Sequence, residues 1–244
     1  MMKKLLLILS LFLCINAFSQ ERPGTGLLKK ATGLLDKTKS GAGLSNDEII
    51  AGLKEALTVG ATNSAQKLSL PDGFFANAAI KVLMPPEAKK VETALRSAGM
   101  GNMVDKAILS MNRAAEDASS KAAPIFLDAI KQMSFQDALS ILKGTDTAAT
   151  FYLKQKTTGS LTNAFRPIIE QALAKTDATK YWKDVFDTYN KLPTTFKKIN
   201  TDLPAYVTER SLSGLFFQVA EEEKKIRKDP AARVSDTLKK VFAK

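Results

Sequence analysis

Residues 111–118 read MNRAAEDA and lie in an alanine-rich region of the chain. On a helix with about 100° per residue, the apolar side chains of this region share one face. They fall within about 60° of Met111 and comprise Val104, Ala107, Ile108, Ala115 and Ala118. This spacing predicts a helix over about residues 102–119 whose apolar stripe packs against the core.

The polar residues of the same stretch fall on two different sides of that helix. Arg113 and Asp117 are spaced i,i+4 and point away from the stripe, so we interpret them as a surface ion pair. Asn112 and Glu116, also i,i+4, flank the stripe on the side of Leu109. We expect this flank to be solvated. The alternative is that another element covers Leu109 and that Asn112 and Glu116 are buried, either in a hydrogen-bonded network or against a ligand.

Apolar residues recur at helical period on both sides of this stretch, and glycine and proline separate the segments. Ser45 and Glu48 have the spacing of a capping box, and Asp202 and Asp229 each precede a first turn that contains proline. The alternation typical of strands is absent. The sequence therefore predicts an all-α fold, a compact bundle of about ten helices without a sheet.

Several helix boundaries follow from these signals. We expect a short helix over 74–83, and a second capping signal at Ser134 with a stop at Gly144. Helices are expected over 148–156 and from there to about 175, with a break at Gly159 and Pro167 either kinking or starting the second half. The last helices are expected over 178–191, 203–228 and 230–242.

The N-terminal residues have the pattern of a secretory signal peptide. Lys3 and Lys4 precede an apolar run that is shorter than the roughly 20 residues a spanning helix needs. We place cleavage before Gln20, which gives a signal peptide at 1–19, a flexible tether at 20–44 and a single helical domain at 45–244. The alternatives are a retained membrane anchor and a lipoprotein signal at Cys14, which Leu13 disfavours because lipidation wants a small residue there.

This reading places the protein outside the cytoplasm, in the periplasm or beyond. The chain carries a formal net charge of +11, with one cysteine and no histidine. A basic exported protein meets phospholipid head groups and other envelope anions, so a lipid, an envelope protein or peripheral membrane contact are the expected partners. No arginine-rich tract or aromatic–basic interleaving suggests nucleic acid.

The residue inventory excludes several chemistries. Without histidine, and without cysteine once Cys14 is removed, the usual triads, thiol nucleophiles and nitrogen–sulfur zinc sites are absent. No calcium loop or phosphate-binding glycine loop occurs, and we expect no cofactor, no metal and no catalytic residue. A carboxylate-dependent enzyme stays open, although Glu116 and Asp117 point about 100° apart on a helix and cannot face each other.

Two further residues are candidates for a ligand contact or a polar network. Asp146 lies in GTDTAATFYLKQKT (144–157), where we expect Thr145 or Asp146 to cap a helix; the alternative is an anion bound at the helix start. Arg233 ends AEEEKKIRKDPAAR (220–233) one turn into a predicted helix. A cation there opposes the helix dipole unless it has an acidic partner, and Asp229 is the nearest acid.

The charge run of this stretch (220–233) is itself interpreted as a solvated helix face. Glu221 with Lys225 and Glu223 with Arg227 have the favourable i,i+4 order for surface ion pairs.

Several segments together resemble one known family. They are GLSNDEIIAGLKEAL (43–57), LPDGFFANAAIKVLMP (70–85), MNRAAEDASSKAAPIF (111–126), DALSILKGTDTAATFYLKQKT (137–157), DLPAYVTERSLSGLFFQVAEEEKKIRKDPAAR (202–233) and the closing LKKVF. The chain resembles the DUF4197 family of exported bacterial proteins over nearly all of 43–244. The resemblance implies an all-helical envelope domain and supplies no activity or catalytic residues. Some members resemble lipoproteins, and Leu13-Cys14 departs from that pattern.

The leading functional hypothesis is an exported helical module that binds an apolar or anionic ligand or an envelope partner. The late helices are rich in aromatic residues, which either line a site or fill the core: Tyr181, Trp182, Phe186, Phe196, Phe216 and Phe217. A lipid carrier predicts a continuous apolar cavity of several hundred Å³. The alternatives are a scaffold protein with structural polar motifs and a hydrolase with two carboxylates about 5–10 Å apart in an exposed cleft.

Overall fold

The computed structural model describes residues 45–176, 202–233 and 235–241, together with Thr179, Trp182, Lys183, Phe186, Asp187, Asn190, Lys191 and Lys198. These residues belong to one compact unit that extends from Leu44 to Lys244. Among them there is no β-strand, so the predicted all-α class is confirmed. The expected signal peptide (1–19) and tether (20–44) lie outside the described residues.

The α-helices of the described residues are α1 Asn46–Ser69, α2 Lys89–Ser97, α3 Gly101–Ser119, α4 Ala122–Lys131, α5 Phe135–Lys143, α6 Ala148–Ala174, α7 Leu203–Lys228 and α8 Asp236–Val241. Short 3-10 helices occupy Pro86–Ala88 and Pro230–Ala232. Within this part of the chain there are fewer α-helices than the ten or so expected. In the 178–191 region, the described positions Trp182, Lys183, Phe186, Asp187 and Asn190 are helical.

The start signals predicted at Ser45, Ser134 and Asp202 form as expected. Ser45 and Glu48 make a reciprocal capping box on α1, with the Glu48 amide 3.3 Å from the Ser45 hydroxyl oxygen. Ser134 and Asp137 make a second capping box on α5, which ends at Gly144. Asp202 accepts a hydrogen bond of 3.0 Å from the Ala205 amide at the start of α7. Each cap satisfies backbone N–H groups that a helix cannot satisfy internally.

The core forms where the long helices pack against one another. Helix α6 packs along α7 and α3, and α1 packs on α7 and α4. One continuous apolar cluster runs through these interfaces, and Phe126 meets Phe216 edge to face with ring centroids 5.9 Å apart. Burial of this cluster is the dominant favourable term in folding, since the described residues contain no disulfide or metal ligand set that could add to it.

The helix division that the sequence predicts around Gly159 and Pro167 does not form. A single helix runs through both positions to Ala174. Its buried residues continue at helical spacing across the expected break: Leu153, Thr157, Leu161, Phe165, Ile169 and Leu173. The local cost of glycine and proline is smaller than the gain from burying this continuous stripe, so the helix does not divide.

The prediction of a helix over 74–83 is wrong, because residues 70–85 are not helical. They form turns up to Ile80 and then an irregular segment that leads into Pro86. Asp72 has a positive φ of 67°, a left-handed conformation that aspartate tolerates better than most residues. Phe74 and Val82 are fully buried. The amides of these two buried residues therefore bind side-chain acceptors instead of the carbonyl groups of a helix.

The prediction of a long final helix over 230–242 is wrong. Asp229 accepts a hydrogen bond of 2.9 Å from the Ala231 amide, and Pro230–Ala232 form only one 3-10 turn. Helix α8 is short, over Asp236–Val241. The interruption falls where the Arg233 side chain returns to the end of α7.

Glycine positions on the two longest helices provide a matched stability test. A Cβ atom at Gly214 of α7 would lie 2.5 Å from Cε1 of Phe74, whereas one at Gly159 of α6 would meet nothing within 4 Å. We expect Gly214→Ala to lower the free energy of unfolding by about 1–3 kcal/mol through overpacking. Gly159→Ala should raise it by up to about 1 kcal/mol, because alanine loses less entropy in a helix. Urea unfolding of both variants measures the difference, and equal effects would contradict the close approach of α7 to Phe74.

Candidate functional site

Asn112 is buried and fully hydrogen-bonded. Its exposed fraction is 0%, so the expected solvated flank is wrong for this residue. The side-chain Oδ1 accepts from the Val82 amide at 2.9 Å, and Nδ2 donates to the carbonyl oxygens of Val82 at 2.8 Å and Ile108 at 2.7 Å. The amide thus replaces the backbone partner that Val82 lacks in its irregular segment.

Glu116 holds the other end of the same segment. It is 2% exposed, and its Oε1 accepts from the amides of Phe74 and Phe75 at 3.1 Å each. Its Oε2 accepts from Nη1 of Arg113 at 2.6 Å. Two backbone donors and one guanidinium therefore compensate a carboxylate that would otherwise be costly to bury.

The ion pair predicted between Arg113 and Asp117 does not form, because Arg113 binds other carboxylates. Its guanidinium binds Glu116 and also Asp72, with Nη2 and Oδ1 2.7 Å apart. Hydrogen bonds to Glu116 and Asp72 raise the pKa of Arg113, and the guanidinium also lies over the Phe75 ring at 5.8 Å. The turn at 70–75 approaches α3 on this side, which helical spacing alone does not reveal.

A second buried carboxylate, Glu223, caps helix α6. It is 7% exposed and accepts from the amides of Ala149 at 3.0 Å and Thr150 at 2.8 Å, and from the Thr150 hydroxyl. Arg227 lies 2.9 Å from it and also donates to the Ile141 carbonyl at 2.8 Å. The interpretation of 220–233 as a solvated face is therefore wrong at Glu223 and Arg227.

This contact also decides the two alternatives at Asp146. Neither Thr145 nor Asp146 caps α6, whose N-cap residue Thr147 makes no side-chain cap bond. Asp146 instead forms an exposed ion pair with Lys228 at 2.9 Å, and the hydrogen bond from Lys228 lowers the pKa of Asp146. Because Glu223 occupies the first free amides of α6, the chain's own carboxylate fills the place of an external anion there.

Arg233 binds the end of the preceding helix. Its Nε donates to the Ile226 carbonyl at 3.1 Å and its Nη2 to the Arg227 carbonyl at 2.9 Å. A cation at the C-terminus of α7 is favoured by the helix dipole and by the unpaired carbonyl groups there. The expected conflict with a helix dipole does not arise, because Arg233 lies outside a regular helix.

The five candidate residues thus separate into three structural contacts. Asn112, Arg113 and Glu116 hold 70–85 against α3, whereas Asp146 and Arg233 make separate contacts with the C-terminal end of α7, at Lys228 and at the carbonyl groups of Ile226 and Arg227. Leu109 points elsewhere: it lines a groove on another side of α3. The sequence pattern placed Asn112 and Glu116 on the same flank as Leu109. In the structure they do not share an environment with Leu109.

This cavity, which we call the α3 groove, has a volume of about 510 Å³. Its walls come from α2, α3 and the residues around Trp182. The lining is predominantly apolar and comprises Met84, Val91, Leu95, Asn102, Met103, Val104, Lys106, Ala107, Leu109, Ser110, Met111, Thr176, Trp182, Phe186 and Leu203. Sequence reasoning missed it because its residues come from four separate segments.

Aromatic rings form one wall of the α3 groove. Trp182 packs edge to face on Phe186 with ring centroids 4.6 Å apart and stacks on Tyr206 at 6.1 Å. The Tyr206 hydroxyl donates to the Leu83 carbonyl at 2.8 Å, which links this wall to the irregular segment. Trp182 is the single tryptophan of the chain, so its fluorescence reports on this groove alone.

Helix α2 forms the opposite wall and is weakly integrated into the core. None of its residues is fully buried. Val91 and Leu95 point their partly buried side chains into the groove. Pro85 and Pro86 precede the helix, and Gly99 follows it with a φ of 80°. A helix that buries so little apolar surface opens at a lower free-energy cost than α6 or α7.

The described part of the chain carries neither a metal-binding cluster nor a membrane-spanning helix. No group of cysteine, aspartate or glutamate residues there is arranged to hold a metal ion. None of the helices described is both long enough and apolar enough to cross a membrane.

Comparison with known proteins identifies the family of the chain. No curated protein and no solved structure matches the chain. A family model for proteins of unknown function, DUF4197, matches residues 43–243. This match covers the whole region described above and agrees with the resemblance found in the sequence. The chain therefore belongs to the DUF4197 family.

Proposed function

We propose that the protein is a non-catalytic binding module that takes an apolar ligand into the α3 groove. The observation that carries the proposal is the volume of about 510 Å³ behind a predominantly apolar lining. Ligand sites in proteins commonly measure 300–1,000 Å³ and combine apolar walls with a few polar groups. A groove of this size supports the proposal, because a lipid-binding protein needs an apolar site of several hundred Å³.

The energetics favour a chain-like apolar ligand. Each methylene group moved from water to an apolar site contributes about 0.8 kcal/mol. Eight buried methylenes would contribute on the order of 6 kcal/mol before the costs of ordering are subtracted. Methionine side chains at Met84, Met103 and Met111 suit this role, because they adapt to ligands of different shape.

Entry of the ligand would use α2. Val91 and Leu95 are the side chains through which α2 faces the groove, so a ligand would replace the contact that α2 makes there. The predicted export signal at 1–19 and the net charge of +11 favour a lipid of the cell envelope as the source of the ligand.

A scaffold protein is the second candidate, and the exposed aromatic residues favour it. Phe151 is 61% exposed and Phe217 is 42% exposed, and exposed aromatic side chains are common where proteins bind one another. In this reading the polar residues Asn112 and Arg233 serve the fold alone.

A carboxylate-dependent hydrolase has less support. Asp128 and Asp137 line one cleft of about 330 Å³ together with Tyr152. Asp137 already accepts from the Ser134 hydroxyl and amide, and these bonds lower the pKa of Asp137. A lowered pKa is unfavourable for a general acid, which needs its proton near neutral pH.

Filling the groove tests the leading proposal. Ala107 lines the groove on α3, so Ala107→Phe should place a ring in the space of the ligand. The full chain is titrated with 12-bromododecanol, whose bromine quenches tryptophan fluorescence on contact. We expect saturable quenching of Trp182 in the wild type and at least tenfold weaker binding in Ala107→Phe.

The matched control is Ala51→Phe, an exposed position of α1 away from the groove, which should bind like the wild type. Absence of saturable quenching in the wild type, or equal binding by Ala107→Phe with an unchanged melting temperature, would refute the groove as the site. If the groove binds the probe, mass spectrometry of small molecules that copurify with protein from its native envelope would identify the natural ligand.

The scaffold reading makes a separate prediction for the polar residues. Asn112→Ala leaves the buried amide and carbonyl of Val82 without their side-chain partner, so we expect a loss of about 2–4 kcal/mol in the free energy of unfolding. Asp117→Ala, on the exposed side of the same helix, should change it by less than about 0.5 kcal/mol.

Arg233→Ala should lower the melting temperature by less than Asn112→Ala does, because the hydrogen bonds of Arg233 are only partly buried. Thermal unfolding and Trp182 quenching are measured on the same samples. Loss of ligand binding in a folded Asn112→Ala protein would show that the residue does more than support the fold.

A further inference from the structure

We propose that the ligand of the α3 groove is a single-chain amphiphile whose anionic head group binds Lys106. This inference rests on the proposed function and adds the chemical class of the ligand. It follows from three side chains of α3 that the apolar character of the groove does not explain: Asn102, Lys106 and Ser110.

These three residues form a polar strip along one edge of the groove. They are spaced i, i+4 and i+8 and all line the cavity. Successive members therefore lie nearly in line along α3, about 6 Å apart along the helix axis. The adjacent row, Met103, Ala107 and Met111, also lines the groove and is apolar. A lining with one polar and one apolar row matches a molecule that has a head group and a chain.

The polar strip has no partner within the described residues. No side-chain hydrogen bond or ion pair of Asn102, Lys106 or Ser110 occurs there. Serine and threonine elsewhere in the helices donate to the carbonyl four residues earlier, as Ser64 and Thr157 do. The strip thus offers an amide, an ammonium and a hydroxyl group to a ligand.

The charge of the lining is positive. Lys106 is its one charged residue, and no carboxylate belongs to the lining as the structure describes it. The neighbouring Asp105 is already bound by Arg96, with Nη2 and Oδ1 2.8 Å apart. An uncompensated ammonium beside an apolar wall attracts an anion more strongly than one surrounded by water, because the wall lowers the local dielectric constant.

Two head groups share the chemistry that the strip would recognise. A carboxylate and a phosphate monoester both carry negative charge and accept several hydrogen bonds from such donors. A fatty acid and a monoacylglycerol phosphate are therefore the two sources of one ligand class, and the experiment needs an arm for each.

The test compares probes that differ only at the head group. Trp182 quenching is titrated in the full chain with 12-bromododecanoate, 12-bromododecyl phosphate and 12-bromododecanol, each below its micellar concentration. We expect at least one anionic probe to bind roughly three- to fivefold more tightly than the alcohol at low salt, because Lys106 is exposed and an exposed ion pair contributes about 1 kcal/mol or less. The preference should fall as ionic strength rises.

Lys106→Gln should remove the preference for the anion and leave binding of the alcohol unchanged. Lys90→Gln removes the same charge from an exposed position of α2 that does not line the groove, so it should retain the preference. The carboxylate and phosphate arms show which head group is preferred.

Two failures are distinguishable. If no probe quenches Trp182 saturably, the groove is not a ligand site and the proposed function fails. If the alcohol binds as tightly as both anionic probes, or if Lys106→Gln behaves as Lys90→Gln does, the groove binds apolar molecules but the assignment of an anionic head group is overturned.

Discussion

The structure depends on how the irregular segment 70–85 satisfies the backbone groups of its buried residues. Phe74 and Val82 are fully buried, yet their amides have no helical partners. Each such group would cost on the order of 1–3 kcal/mol if left unpaired. Asn112 and Glu116, one turn apart on α3, supply the missing acceptors. They fix the path of the chain into α2, and the position of α2 in turn forms one wall of the groove.

A buried glutamate accepts hydrogen bonds from backbone amides at two places in the fold. Glu116 binds two consecutive amides of the 70–85 turn, and Glu223 binds two consecutive amides at the start of α6. An arginine on the same helix neutralises each carboxylate, three residues earlier for Glu116 and four residues later for Glu223. Charged side chains thus connect elements that lie more than 40 residues apart, in a core that is otherwise apolar.

Local signals in the sequence predicted the all-α class, the caps at Ser45, Ser134 and Asp202, and the course of α3 and α7, because period and capping depend on nearby residues. They failed where the partner is distant. Glu223 resembled a surface charge because its acceptor role needs residues 149 and 150. The groove combines residues from 84 to 203, and no periodicity within one helix encodes that assembly. Helical spacing allows a buried Asn112 as one alternative, but it cannot identify Val82, 30 residues away, as the partner.

The close approach of α7 to the irregular segment has an evolutionary consequence. Gly214 leaves space for the edge of the Phe74 ring, and Cβ of Ile80 lies 3.2 Å from the place of a Cβ atom there. A family member with a larger residue at 214 needs a smaller side chain at 74, or its irregular segment 70–85 must lie farther from α7. Positions 74 and 214 should therefore covary among DUF4197 proteins, although 140 residues separate them in the chain.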